Sequence, residues 1–249
     1  MEFTFSDDQE ALRVAVRAFL DGECPPVYWR AMLDDERGFT DEVWAGIVDL
    51  GWPGLLVPAD DGGLGLGMVD LVVVMEEMGR VPFAGPFFSS AVQATLAARA
   101  PGLGEQLAGM VGGAERGAVA IDEPGHGDVI DRIRTRASRK SGRWTLHGTK
   151  AAVVDGHTAD WVLVPARTQE GLGTFLVREP AGTFVPSWDG TRKIARLELD
   201  ATRAEPVGPE GDHTGIWRRV ADDSAVALCA ELIGSMERAH ALAVDYAKD

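Results

Sequence analysis

The chain has 249 residues, of which 45% are hydrophobic and 25% charged, an ordinary globular composition long enough for one large or two modest domains. Its 39 acidic against 24 basic side chains leave a net charge of −15, which disfavours nucleic acid and anionic membrane surfaces as partners. No run approaches the ~20 apolar residues needed to span a bilayer, and Met1–Phe5 lacks a basic start, so a cytoplasmic protein is expected.

Ser6 followed by Gln9 is a capping box, and Leu12, Val16, Phe19 and Leu20 then share one helical face until Pro25-Pro26 stops the helix. Thr40 caps a second helix, with Val43, Trp44, Ile47 and Leu50 expected inward and Gly51 at its end. The glycine-rich Asp61–Gly67 stretch lacks a preceding parallel strand and a following Lys-Ser/Thr, so it reads as a plain helix–helix loop. Met68–Met78 is a Met/Val-rich helix closed by Gly79, and Phe87–Ala100 is another. Cys24 and Cys229 lie in helical contexts without paired spacing and read as buried thiols.

From Ala114 to about Val207 the apolar period switches to two. Ala118–Ile121 empties into Asp122-Glu123-Pro124-Gly125-His126-Gly127-Asp128, as a strand runs into a loop. Ile130–Arg136 and Arg143–Leu146 alternate as an antiparallel pair, and a β-branched strand then closes at Asp155-Gly156. Trp161–Pro165, Thr174–Val177 and Ile194–Leu199 complete a compact antiparallel barrel or sandwich. On the first of these strands Arg132, Arg134 and Arg136 would share a face near Arg139, Lys140 and Arg143. Such a patch suits phosphate groups, or is a solvated face that discourages edge pairing. After Gly208-Pro209 the chain turns helical. Val226, Cys229, Ile233, Met236, Ala239, Ala243 and Tyr246 follow a 3–4 spacing among small residues, which implies a partner helix that no later segment supplies. The fold class is therefore α+β in three parts: helical 1–113, a β-domain 114–210, and the first helix of a further helical domain 211–249.

The two segments flanking the strand pair carry a family signature. The first resembles Thr-Glu-Pro-x-x-Gly-Ser-Asp and the second, Gly148 to Asp160, resembles Gly-x-Lys-x-Trp-Ile-Thr-Asn-Gly-x-x-Ala-Asp, both of the acyl-CoA dehydrogenase family. The similarity extends through Leu50–Pro58, Asp61–Gly67, Asp189-Gly190-Thr191-Arg192 and the helix ending Tyr246–Asp249. The resemblance implies FAD as cofactor, with Ile121, Asp122, Gly127, Asp128, Ala152, Val153 and Val154 around it, and an acyl-CoA substrate near His126, Arg132 and Arg134. It also implies an oligomer, an acyl tunnel lined by the N-terminal helices, and a role in fatty acid β-oxidation. This chain departs from the pattern at the ring itself. Asp122 stands for a threonine, Gly127-Asp128 lacks the intervening serine, Ala152 replaces the tryptophan and Val154 replaces a threonine or serine. Each lost hydroxyl contact removes roughly 1 kcal/mol, and an indole cut to alanine leaves a void that typically costs several.

Desaturating an acyl thioester takes a carboxylate for the α-proton, a flavin for the β-hydride and hydrogen bonds to the thioester carbonyl. In the family the carboxylate comes from the C-terminal helices. Here Glu231, Glu237, Asp245 and Asp249 are the final helix's acids, none matches the family's base, and a solvated helix face is expected for each. His126, His147, His157, His213 and His240 show no metal spacing, although His126 sits in the cofactor loop. No Gly-x-Ser-x-Gly elbow or Cys-x-x-Cys supports a hydrolase or a redox thiol. The expectation is a supporting subunit of a heteromeric dehydrogenase, working beside a homologous subunit, or a truncated member. The alternatives are a flavin-free scaffold for an acyl-CoA or acyl-carrier partner, and a catalytic subunit cut short.

Overall fold

The computed structural model describes residues 4–99 and 102–248. Helix α1 (Asp7–Glu23) opens on the expected capping box, with Ser6 accepting from Gln9 N at 3.3 Å and Gln9 accepting from Ser6 N at 3.0 Å. Pro26 then starts a short helix of its own, α2 (Pro26–Asp34), where a missing N–H costs nothing. Helix α3 (Asp41–Asp49) is capped by Thr40 and buries Val43, Trp44 and Ile47. Leu50, expected inward, caps the helix C-terminus and is 46% exposed. Asp61–Gly67 is a connection, as read, with Gly62 and Gly65 at positive φ.

Helix α4 (Met68–Arg80) does not stop at Gly79. It meets α1 through Glu77, which is buried and receives Arg17 Nη2 at 2.6 Å and Arg80 Nε at 2.9 Å. Burial pushes the Glu77 carboxyl up, but those two guanidinium groups outweigh it and the net direction is down. Next comes a π-helix (Phe87–Ala94) that continues into α5 (Thr95–Arg99), with Ala100, the end of the expected helix, outside the described residues. Helix α6 (Gly104–Val111) completes the helical half.

Strands β1 (Gly117–Val119), β2 (Arg136–Lys140), β3 (Arg143–Val154), β4 (Trp161–Arg167), β5 (Leu172–Arg178), β6 (Thr183–Val185) and β7 (Ile194–Val207) form one sheet in the order β1-β4-β2-β3-β7-β5, with β6 paired separately to β7. The additional β4–β5 pairing closes it into the expected barrel. It is mixed rather than wholly antiparallel, because β1 lies parallel to β4 and β2 touches β4 in parallel at Arg136–Arg167. Leu146, Val153, Val162, Val164, Phe175, Ala195 and Leu197 fill its interior.

Ile130–Arg136 is not a strand. Asp128 accepts the amides of Ile130 and Asp131 at 2.9 and 3.1 Å, which folds 129–132 into a turn, and pairing begins only at Arg136. Arg132, Arg134 and Arg136 therefore share no strand face.

Helix α7 (Thr214–Lys248) supplies the other correction. Its buried face is Trp217, Val220, Ser224, Ala227, Ala230 and Gly234, while Val226, Cys229, Ile233, Met236 and Tyr246 of the stripe read from the sequence are exposed. The partner helix is α4, earlier in the chain. A Cβ on Gly79 would overlap the Glu231 carbonyl and one on Gly234 the Glu76 carbonyl, so these two glycines set how closely the helices cross. Of the two cysteines only Cys24 is buried, and burial pushes its thiol up to about 12.

Candidate functional site

The site is built where the end of β1 meets the middle of β3. Ala151 N donates to Asp122 O at 2.9 Å, and Asp122 and Ala152 form an isolated antiparallel bridge. The two motif segments, about 30 residues apart, are thus side by side as the resemblance implies.

Behind that bridge lies a buried polar cluster of Glu123, Thr135 and Lys150. Lys150 Nζ donates to Glu123 Oε1 at 2.7 Å and to Pro165 O at 2.9 Å, with no exposure of the lysine. Glu123 also accepts Thr135 Oγ1 at 2.6 Å and Arg134 N at 2.6 Å. Burial lowers the Lys150 pKa to about 8 against the pull of Glu123. For Glu123, burial pushes upward, but the Lys150 charge and hydrogen bonds outweigh it and hold the carboxyl low. The pair is ionised at neutral pH and ties the loop base to β3 and β4.

The other expected residues scatter. Val153 points into the barrel core, and Val154 packs against the helical core of α1, α3 and α4. Gly127, Asp128 and His126 are exposed in the loop. Arg134 is exposed and spends its guanidinium on the carbonyls of Asp131 at 2.7 Å and Ile133 at 3.1 Å. Arg132 turns back over the loop to pair with Asp122. Arg139, Lys140 and Arg143 remain exposed around the β2–β3 turn.

Beside Ile121 an apolar slot of about 190 Å³ opens between the loop and α7. Val119, Ile121 and Val129 form one wall, Val220, Ala225 and Leu228 the other, and Gln93 of the π-helix and Ser224 are its polar members. Ser224 is buried and its hydroxyl has no partner. No carboxylate lines the slot. Gln93 sits in an apolar run and Ser224 follows Asp222-Asp223, and in neither place does the local pattern signal a cavity that tertiary packing makes. A larger cavity, about 700 Å³, lies at the barrel mouth over Trp144 and Phe175. It is at the far end of β3 from Ala152, about 25 Å away at the rise of a strand.

The acids of α7 fall differently from expectation. Glu231 is not solvated: it pairs with Arg192, whose guanidinium also lies 5.0 Å over the Phe88 ring. Burial pushes the Glu231 carboxyl up. Glu237 and Asp245 are exposed, and Asp249 is outside the described residues.

The barrel packs beside a helical body in which α4 and α7 cross, and the bridge and slot lie where the two meet. Residues 6–102 match the family described as acyl-CoA dehydrogenase, N-terminal domain. Acyl-CoA dehydrogenase IpdE2 of Mycobacterium tuberculosis is 26% identical over 97% of this chain and 64% of its own length. Acyl-CoA dehydrogenase FadE27 of the same organism is 29% identical over the whole chain and 67% of its length. The ChsE4-ChsE5 complex of Mycobacterium tuberculosis superposes with a TM-score of 0.86 at 28% identity, over the whole chain and 68% of the matched chain. Residues 6–102 thus match the N-terminal domain of acyl-CoA dehydrogenases, and the chain spans about two thirds of the length of these relatives.

The residues at the bridge do not fit a flavin held as this family holds it. Ala152 offers no ring to lie against the cofactor, the Val154 side chain is apolar and turned to the helices, and Asp122 presents a carboxylate. A carboxylate beside a cofactor that gains negative charge on reduction opposes that reduction.

Proposed function

We propose that this chain is the supporting subunit of a heteromeric acyl-CoA dehydrogenase of the cytoplasm, acting with a homologous subunit that carries the FAD and the catalytic carboxylate. The observation that carries the reading is the slot: it has the apolar walls an acyl chain requires, yet its only polar groups are Gln93 and Ser224. Neither can take an α-proton at neutral pH, so the slot can seat a substrate tail but cannot begin desaturation. The family architecture around it supports an acyl-CoA thioester as the ligand, and the structural likeness to a complex of two subunits supports a homologous partner.

The test is to co-express the chain with a homologue encoded beside it and assay the purified pair for acyl-CoA-driven reduction of ferricenium. Activity of the pair that is absent from either chain alone is expected. A homologue fully active by itself and unaffected by this chain would contradict the reading. A flavin-free scaffold for acyl-CoA or acyl-carrier partners is the second reading, favoured by the same absence of an acid in the slot. It predicts acyl-CoA binding without turnover in any combination.

A further inference from the structure

We infer that Asp122 and Arg132 form a latch that closes this chain's cofactor loop against flavin, so that the polypeptide folds and works without a flavin of its own. The inference rests on the supporting-subunit reading and names the device that makes the chain dependent on its partner.

The loop is organised to deliver Arg132 inward. Asp128 accepts the amides of Ile130 and Asp131, which fixes the turn preceding it. Glu123 accepts the amides of Arg134 at 2.6 Å and Thr135 at 3.1 Å, which fixes the chain following it. Between these two anchors the Arg132 side chain crosses the loop. It pairs with the Asp122 carboxylate and donates from Nη1 to Gly125 O at 3.4 Å. The Asp122 main chain is held in place by its carbonyl, which accepts from Ala151 N beside Ala152. The two side chains are only 22% and 30% exposed, so the pair is partly removed from water.

The carboxylate that stands beside Ala152 is thereby consumed by Arg132. A flavin edge entering here would have to displace a guanidinium from a carboxylate and would then meet the bare carboxylate. One buried donor, Arg132 Nε, has no acceptor. It marks the side chain as held by its pairing at the terminal nitrogens rather than by a complete set of partners. Removing Arg132 alone leaves Asp122 unpaired and unfavourable to flavin. Removing both charges together opens the loop without leaving either behind, so the two substitutions are predicted to be non-additive.

The experiment is an FAD titration of the isolated chain followed by quenching of flavin fluorescence, with circular dichroism confirming the fold of each variant. Wild type and Arg132→Ala are expected to show no saturable quenching. Asp122→Thr combined with Arg132→Ala is expected to bind at least tenfold more tightly than either. Should that variant not fold, the near-isosteric Asp122→Asn with Arg132→Gln keeps the volume and removes the charges. Saturable binding by wild type, or a folded double variant that binds no better than wild type, would overturn the latch. The titration uses this chain alone, so failure to assemble with a homologue would sink the subunit reading and leave the latch standing.

Discussion

Asp155 accepts a hydrogen bond from the Ser89 hydroxyl at 2.6 Å, joining the turn after β3 to the π-helix that carries Gln93 into the slot. Both residues are buried, and Asp155 holds a positive φ of 53° that asparagine also tolerates. π-Helical turns are rare and often sit at functional sites, where an irregular helix needs outside support. Here the support includes the Asp155 carboxyl on Ser89 and the Gly117 amide, which donates to Ser90 Oγ at 3.3 Å.

Burial raises the Asp155 carboxyl, against the Ser89 hydrogen bond and the nearby Arg192, His157 and Lys193 charges. With a raised folded-state pKa, its contribution to stability is present below the ordinary carboxylate range and is lost as pH rises through the raised value. Asp155→Asn keeps the acceptor and removes the ionisation. It should match or exceed wild-type stability at neutral pH, by about 1 kcal/mol, and lose that advantage in acid. Melting curves at a series of pH values check this, and an advantage that grows in acid would refute it.

Lys150→Met should be severe. It leaves Glu123 charged in a buried site, a change that costs about 3–5 kcal/mol. Replacing Glu123 with Gln in the same chain should recover most of the loss. Glu123 is held below its ordinary pKa, so its contribution is present above the ordinary carboxylate range and fades as pH falls through the lowered value. Urea titrations of the single and double variants measure the coupling. Equal losses in Lys150→Met and the double variant would count against it.

Gly234→Ala tests the α4–α7 crossing. The added methyl meets the Glu76 carbonyl, and overpacking of this kind costs typically 1–3 kcal/mol. Gly215, near the start of α7, has open space around its Cβ position. Alanine there should be neutral or slightly stabilising. Thermal midpoints of the two variants should move apart, and coincident midpoints would mean the helices do not cross at Gly234.

The outward face of α7 carries Leu232 at 60% and Met236 at 61% exposure, with Ile233 and Tyr246 nearby. An apolar stripe this long favours self-association or partner binding. Leu232→Lys with Met236→Lys should lower the mass of the purified chain measured by light scattering. An unchanged, monodisperse monomer before and after substitution would contradict the prediction.

The capping box at Ser6, the Thr40 cap and the strands at Trp161–Pro165 and Thr174–Val177 were legible in the sequence because each is a local pattern with a local cause. The errors arose where tertiary contacts decide. Ile130–Arg136 alternates like a strand, but Asp128 captures its amides first. Gly79 looks like a helix stop and is instead the closest approach to a helix far along the chain. On α7 the larger apolar residues advertised one face, while the small residues on the adjoining face made the close packing. In the site, the substitutions at Asp122, Ala152 and Val154 could be read directly, whereas the partnership of Asp122 with Arg132 needed the turn at 129–132.

The most direct measurement of the central claim is the visible absorption spectrum of the purified chain, alone and bound to its homologous subunit. The account predicts colourless protein alone and a yellow complex whose flavin band bleaches when acyl-CoA is added. A yellow, acyl-CoA-bleachable preparation of this chain by itself would contradict it.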